Sequence, residues 1–223
     1  MEPTQDPKSP CSHEPRWQRR PEDRPDEILA AALRVFADQG YTRTRIEDVA
    51  QRAGVSKGTL YCYFDSKEAL FRAMVRKHIV SRLAAFQAKL DTSEASATEL
   101  VRSFIAAMWH TLVDDRMVDV TRLIHRELAQ FPELARFYSD EVILAARHSL
   151  DALIQRGVDR GEFRAVKHGF ASRGIQMLIV HAAQLQSFFA AFDPEALTDE
   201  QVVEGVTDLL LNGLSARPAT QTP

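Results

Sequence analysis

The stretch from Arg45 to Leu70, RIEDVAQRAGVSKGTLYCYFDSKEAL, leaves this chain few folds to choose from. Ile46, Val49, Ala50 and Ala53 recur at i, i+3, i+4 and i+7, one apolar face of a short helix. Thr44 and Glu47 have capping-box spacing, which predicts where that helix starts. Gly54 follows where a left-handed C-cap favours glycine. Ser56 predicts the N-cap of a second helix of about two turns, ending near Tyr61. Asp65 and Glu68 have capping-box spacing for a third. Two short helices joined by a glycine turn form a helix-turn-helix, whose second helix can enter a DNA major groove.

The residue types on the second helix suit that task. Ser56, Lys57 and Thr59 are short or cationic and would lie nearest base edges, and Gly58 lets backbone approach closely. Tyr61 and Tyr63 offer hydroxyls to phosphate oxygens. Lys67 opens the following helix, where ammonium and helix N-terminus would attract the same phosphate. A plain helical core with solvated charges is the competing reading of these residues taken alone.

The run Thr44 to Ala50, then Ala53-Gly54-Val55-Ser56-Lys57-Gly58-Thr59-Leu60-Tyr61, Tyr63-Phe64 and Ser66 to Leu70, resembles the DNA-binding domain of TetR-family transcriptional regulators. The resemblance covers about residues 25 to 72 without a gap. It implies DNA contacts at Thr44, Arg45, Ser56, Lys57, Gly58, Thr59, Tyr61, Tyr63 and Lys67. Cys62 departs from the larger polar residue more usual there, so no contact is assigned to it. The part from LIHRELAQFPELARFY onward is more loosely similar to an AefR-type effector domain.

Charge is distributed as a local nucleic-acid surface requires. Residues 16–89 carry 15 Lys+Arg against 9 Asp+Glu, and residues 90–223 carry 12 against 19. The 223 residues suffice for a sizeable core. No unbroken apolar run reaches about 18 residues, so no membrane association is expected. The opening MEPTQDPKSPCSHEP lacks an apolar signal region. With only Cys11 and Cys62, a disulfide framework is not expected, and a reducing cytoplasm is.

The expected organisation is all-α and two-domain. A proline-rich tail over residues 1–20 is expected to be disordered, ending in basic residues, with Arg19 and Arg20 as candidates for an arm toward DNA and a merely solvated arm as the alternative. The helix-turn-helix domain spans 21–72, opened by Pro25, Asp26 and Glu27 at a helix start. A connecting helix follows over 73–90, with Leu70, Met74, Ile79, Leu83 and Phe86 on one stripe. A polar seam at Asp91–Thr98 leads into an effector-binding and dimerisation domain over 91–216, and residues 217–223 form a second tail. Thr198 and Gln201 have capping-box spacing before the last helix.

Two segments, QMLIVHAAQLQSFFAAF and VVEGVTDLLLNGL, are apolar around much of their girth and need partners on more than one side. The resemblance implies that they pair with a second copy in a four-helix bundle. Ala182, Ala183, Gln186, Phe189, Val206 and Leu210 are the interface candidates, with an intramolecular core as the alternative for each. The resemblance also implies an effector pocket among the middle helices, and a pocket needs apolar walls with a few polar anchors. Its candidates are Phe104, Met108, Trp109, His110, Arg122, His125, Tyr138, Met177, His181 and Gln184.

No phosphate loop, nucleophile elbow or metal-ligand spacing occurs, so neither cofactor nor metal is expected and enzyme chemistry has little support. The expected function is a homodimeric, sequence-specific regulator on an inverted-repeat double-stranded operator. By resemblance it is a repressor released by a small apolar or amphipathic molecule. The alternative is a small-molecule-sequestering protein or enzyme whose helix-turn-helix no longer reads DNA.

Overall fold

The computed structural model describes residues 24–215 apart from 168, and leaves out the side chains of 115, 116, 119, 122, 125 and 126. Trp17, Arg19, Arg20 and Cys11, with both tails, lie outside the described residues. Among the described residues the chain is helical throughout, its one β-bridge being the isolated pair Phe163–Ser215.

Helix α1 spans Arg24–Gln39, α2 Ile46–Ala53 and α3 Lys57–Tyr61. Helix α4, Lys67–Val75, passes through a π-helical segment, Arg76–Val80, straight into α5, Ser81–Thr92. The connecting helix is therefore one rod, longer by a few residues than the polar run from Asp91 suggests. Helices α6 (Ala97–Val113) and α7 (Asp115–Glu127) follow. Pro132 sits in the first turn of α8 (Pro132–Tyr138), which runs through a second π-segment, Ser139–Leu144, into α9 (Ala145–Asp159). Helices α10 (Phe170–Phe189) and α11 (Asp199–Leu214) complete the chain.

The local stops and starts have readable causes. Gly54 takes φ 66° and its backbone N–H closes α2, as expected of a left-handed cap. Thr198 and Gln201 form the expected reciprocal cap of α11. Two other caps are corrected. Helix α2 begins one residue later than Thr44 and Glu47 imply, because the Asp48 carboxylate accepts the Arg45 N–H at 3.1 Å. Helix α4 is capped by the Ser66 hydroxyl, which accepts the Ala69 N–H at 3.0 Å, while Glu68 pairs with Arg72.

The buried side chains form two groups, and their division does not follow the polar loop. The first joins α1 to α4 with Met117, Val120, Leu123 and Ile124 of α7, and with Leu134 and Phe137 of α8. Phe36, Tyr41, Phe71 and Phe131 stack at its centre, with ring centroids 4.8 to 5.7 Å apart. Each such pair contributes about 0.5–1.5 kcal/mol beyond area burial. The second group draws on α6, α9, α10 and α11, including Val101, Phe104, Trp109, Leu150, Ile175 and Ile179.

Helix α6 is also capped from a distance. The Glu162 carboxylate accepts the N–H groups of Ala97 and Thr98, each at 3.0 Å, and the Thr98 hydroxyl at 3.1 Å. Burial alone would raise this carboxyl, but the three donors and nearby Arg160 outweigh it and hold it below its ordinary value. A carboxyl lowered in the fold stabilises above its unfolded value, and that contribution disappears as pH falls through the folded one. The melting temperature of the native chain is therefore expected to drop on acidification below about pH 4. In Glu162→Gln it should already be lower at neutral pH, by about 1 kcal/mol equivalent, and should fall less with acid. Calorimetric melting of both proteins from pH 7 to pH 3 checks this.

Candidate functional site

The surface around α3 is assembled by short-range bonds. The Ser56 hydroxyl accepts the Thr59 N–H at 3.0 Å and lies 2.8 Å from the Thr59 hydroxyl, fixing the first turn of α3. Leu60 is fully buried and anchors the helix, so Ser56, Lys57 and Gly58 on its other side are exposed. Tyr61 and Tyr63 project with about two-fifths of their surface open, 42% and 41%. The Lys57 ammonium is held 2.5 Å from Glu47 of α2, and its charge lies 5.8 Å from the Tyr61 ring centre. The exposed carboxylate of Glu47 raises the lysine, and the lysine lowers the carboxylate. Glu47 as a resting counter-ion was not foreseen; its distance of ten residues from Lys57 matches no helical spacing.

A side chain at position 58 would meet nothing of this protein closer than 3.7 Å, at Ser56 Oγ. The fold itself does not demand glycine there. What a Cβ would obstruct has to come from outside.

Two expected phosphate contacts are placed differently. Thr44 is only 2% exposed, and its hydroxyl donates to the Gly40 carbonyl at 2.6 Å, so it locks the turn between α1 and α2. The Lys67 ammonium turns inward, donating to the carbonyls of Tyr41 at 2.9 Å, Thr44 at 3.2 Å and Thr42 at 3.4 Å. It also lies 4.5 Å from the Tyr41 ring centre. Burial lowers its pKa, against a smaller opposing effect from the Glu127 charge. An ammonium has three donors, and here all three have carbonyl partners. Arg45 is exposed beside this turn.

A cavity of about 400 Å³ opens between the two cores. Its walls are apolar, with Leu83, Phe86, Phe104, Met108, Met117 and Val142 among them. Four expected residues line it: Phe104, Met108, Tyr138 and Met177. Burial pushes the Tyr138 phenol up to about 12, so it remains a neutral donor at any working pH. Of the other expected residues, those whose side chains are described lie away from this cavity. Trp109 is buried in the second core, and His110 and His181 are exposed away from the cavity because they occupy other faces of α6 and α10. Gln184 lines a separate cavity of about 30 Å³. The side chains of Arg122 and His125 lie outside the described residues.

The charged groups of the cavity were missed. Arg82, Arg147 and Arg173 line it, from three different helices. Arg82 is 3.6 Å from Asp114. Arg147 donates to the Gln176 side chain at 3.4 Å, and Arg173 donates to the Gly169 carbonyl at 2.7 Å. Among the described residues, no carboxylate pairs with Arg147 or Arg173. Nothing in their spacing marks them in sequence, because they meet only through the packing of α9 on α10.

An apolar ridge runs along α10, and α11 exposes a large apolar side chain as well. Leu178, Leu185, Phe189 and Phe192 follow one another on α10 and its terminal turn, and Phe192 is 83% exposed. Leu209 of α11 is 65% exposed. By length and composition Phe170–Phe192 could cross a membrane. Yet Ile175, Ile179 and Ala183 on its other face are buried against the chain's own helices, so that face is already packed within the protein. Of the interface candidates, Phe189 is exposed on this ridge. Ala183 is core, Ala182, Val206 and Leu210 pack against that core, and Gln186 bonds the Leu197 carbonyl at 2.8 Å.

Residues 28–74 match the family profile described as bacterial regulatory proteins, tetR family. Residues 98–213 match that of the AefR-like transcriptional repressor C-terminal domain. Over 146 residues the chain is 29% identical to the transcriptional repressor KstR2 of Mycolicibacterium smegmatis, covering 65% of this chain and 70% of that one. It is 25% identical over 216 residues to the transcriptional activator FasR of the same organism, covering 96% and 94%. The fold is similar to that of the regulator FadR from Bacillus subtilis in complex with stearoyl-CoA, with a TM-score of 0.72, 22% identity, and coverage of 85% of this chain and 98% of that one.

Proposed function

We propose, for a chain that belongs to the TetR family of bacterial regulatory proteins with an AefR-like repressor C-terminal domain, that it silences an inverted-repeat operator until an anionic amphiphile enters its cavity. It is a ligand-responsive, DNA-binding transcriptional regulator, and members of its family act as dimers on DNA. The observation that carries the reading is the α3 surface. A helix anchored by Leu60 presents serine, lysine, glycine and threonine outward, with two exposed tyrosines beside it.

In this reading α3 enters the major groove. Ser56, Lys57, Gly58 and Thr59 lie nearest the bases, while Tyr61, Tyr63 and Arg45 take phosphates. Lys57 exchanges Glu47 for DNA. Thr44 and Lys67 act one step back, by fixing the turn from which α2 and α3 depart. The ridge on α10, with exposed Leu209 of α11, joins two copies, and the work takes place in the cytoplasm.

The ligand class is supported by the cavity: apolar walls for a chain, and for a negative head Arg147 and Arg173, which no carboxylate among the described residues neutralises. The fold neighbour bound to stearoyl-CoA is an amphiphile of that kind. A repressor fits the matched C-terminal domain and the similarity to KstR2. The similarity to an activator makes the sign of regulation the part to measure in cells.

Selection of bound sequences from random duplex DNA, scored by anisotropy at two salt concentrations, tests the core of this. The expected product is an inverted repeat whose binding weakens steeply with salt. Weak, sequence-blind binding would sink the reading. Gly58→Ala gives a sharper check, because its two effects have opposite signs. Alanine inside a helix should stabilise the free protein by about 0.5–1 kcal/mol, while the added Cβ should reduce operator affinity at least about tenfold, for roughly 1.4 kcal/mol of lost contact.

A further inference from the structure

Glu127 is an acidic residue where helix electrostatics disfavour one. It ends α7, where the carbonyls carry negative partial charge, and it is only 8% exposed. A buried carboxylate persists only where donors reach it. Thr42 supplies two, its N–H at 2.8 Å and its hydroxyl at 3.0 Å, both to the same oxygen. Thr42 belongs to the turn between α1 and α2, directly before the helix-turn-helix.

That turn is gripped from the other side by Lys67, the first residue of α4, through the carbonyls of Tyr41, Thr42 and Thr44. Tyr41 also packs on Phe131, just beyond α7, at 4.8 Å between centroids. The turn is thus clamped between the start of α4 and the end of α7. Both helices reach the cavity: α7 through Met117 and Thr121, and the α4–α5 rod through Ile79 and Leu83.

We infer that Glu127 is a positioning residue for DNA reading, tying the α1–α2 turn, and through it α3, to the cavity wall formed by α7. Its role in responding to an occupant rests on the proposed function above; its role in setting the head does not. An occupant that displaces α7 at Met117 and Thr121 moves Glu127 as the end of a rigid helix. Thr42 follows, and the reading helix leaves its angle. A ligand shifts this equilibrium only by its preference for one of the two positions of α7.

The test uses full-length dimers of Glu127→Ala, Glu127→Gln, Thr42→Val and the double variant Glu127→Ala/Thr42→Val on the selected operator, with melting and sedimentation confirming folded dimers. Glu127→Ala should lose about tenfold in operator affinity. Glu127→Gln, whose amide oxygen still accepts, should retain most of it. The double variant should lose no more than Glu127→Ala, since Thr42→Val removes the hydroxyl bond alone, which Glu127→Ala removes together with the N–H bond. Losses that multiply, or wild-type affinity in Glu127→Ala, would overturn the inference. Oleoyl-coenzyme A serves as the probe for the response. It should lower wild-type operator affinity about tenfold and that of Glu127→Ala less than about threefold. An equal fall in both would overturn the conduit role. A wild type indifferent to the probe would sink the proposed ligand class instead, and the affinity cycle would still decide Glu127.

Discussion

Phe189→Glu combined with Leu209→Glu is expected to yield a folded monomer that has lost operator binding by about 100-fold or more. Both side chains stand open to solvent, and neither belongs to the two cores, so the charges meet water in the monomer and demand no repacking. In a dimer the same two positions would place four carboxylates in an apolar seam. An isolated charge there is driven out or neutralised, because burying it unpaired carries a penalty of several kcal/mol. The DNA consequence follows from valency. Two reading heads joined through their dimer convert the second docking event into an intramolecular one, and that advantage reaches about 10²–10⁴. A separated head keeps its phosphate contacts but reads one half-site. Sedimentation velocity gives the oligomeric state, anisotropy on whole and half operators gives the affinity, and circular dichroism confirms the helices. A variant that stays dimeric would place the interface elsewhere. A monomer binding the whole operator at wild-type strength would remove the need for symmetry.

What the sequence made legible, it made legible through spacing. The helix-turn-helix was readable because Ile46, Val49, Ala50 and Ala53 mark a helical face and Gly54 marks its end, and both are local facts. Errors of one residue at Thr44 and Asp65 arose because several polar residues near each helix start could supply the cap, and Asp48 and Ser66 won. Glu127 and Glu162 were illegible for a different reason. Their donors lie 85 and about 65 residues away in sequence, and no periodicity records that distance. The apolar girth of α10 announced two packing faces, but not which residue belongs to which. Ala183 turned inward and Leu185 outward, because a rotation of the helix by less than a turn decides it. The cavity arginines were invisible for the same reason as the clamp. Arg147 and Arg173 stand on helices that meet only in three dimensions.

Those arginines set up the second large expectation. Arg147→Ala/Arg173→Ala should bind oleate about 30-fold more weakly than the wild type, while its affinity for oleyl alcohol changes less than about threefold. Charge-assisted hydrogen bonds contribute about 1.5–3 kcal/mol, and 2 kcal/mol corresponds to roughly 30-fold. The two probes share a chain and differ in the head, an anionic carboxylate against a neutral hydroxyl. Loss of the apolar wall would weaken both alike, and loss of the head site weakens oleate alone. The substitutions remove none of the apolar wall residues, among them Leu83, Phe86, Phe104 and Val142. Arg147→Lys/Arg173→Lys refines the comparison. Lysines keep the charge but give up the planar fork that grips a carboxylate, and should recover part of the affinity. Titration calorimetry with both probes supplies the numbers. Equal weakening of oleate and oleyl alcohol would mean that the arginines only shape the mouth, and the ligand would then be sought among neutral apolar molecules. Selective loss of the acid would fix the polarity of the site, with the chain among Phe86, Phe104 and Met108 and the head toward α9 and α10. The same cavity is lined by Met117 and Thr121 of α7, the helix that ends at Glu127.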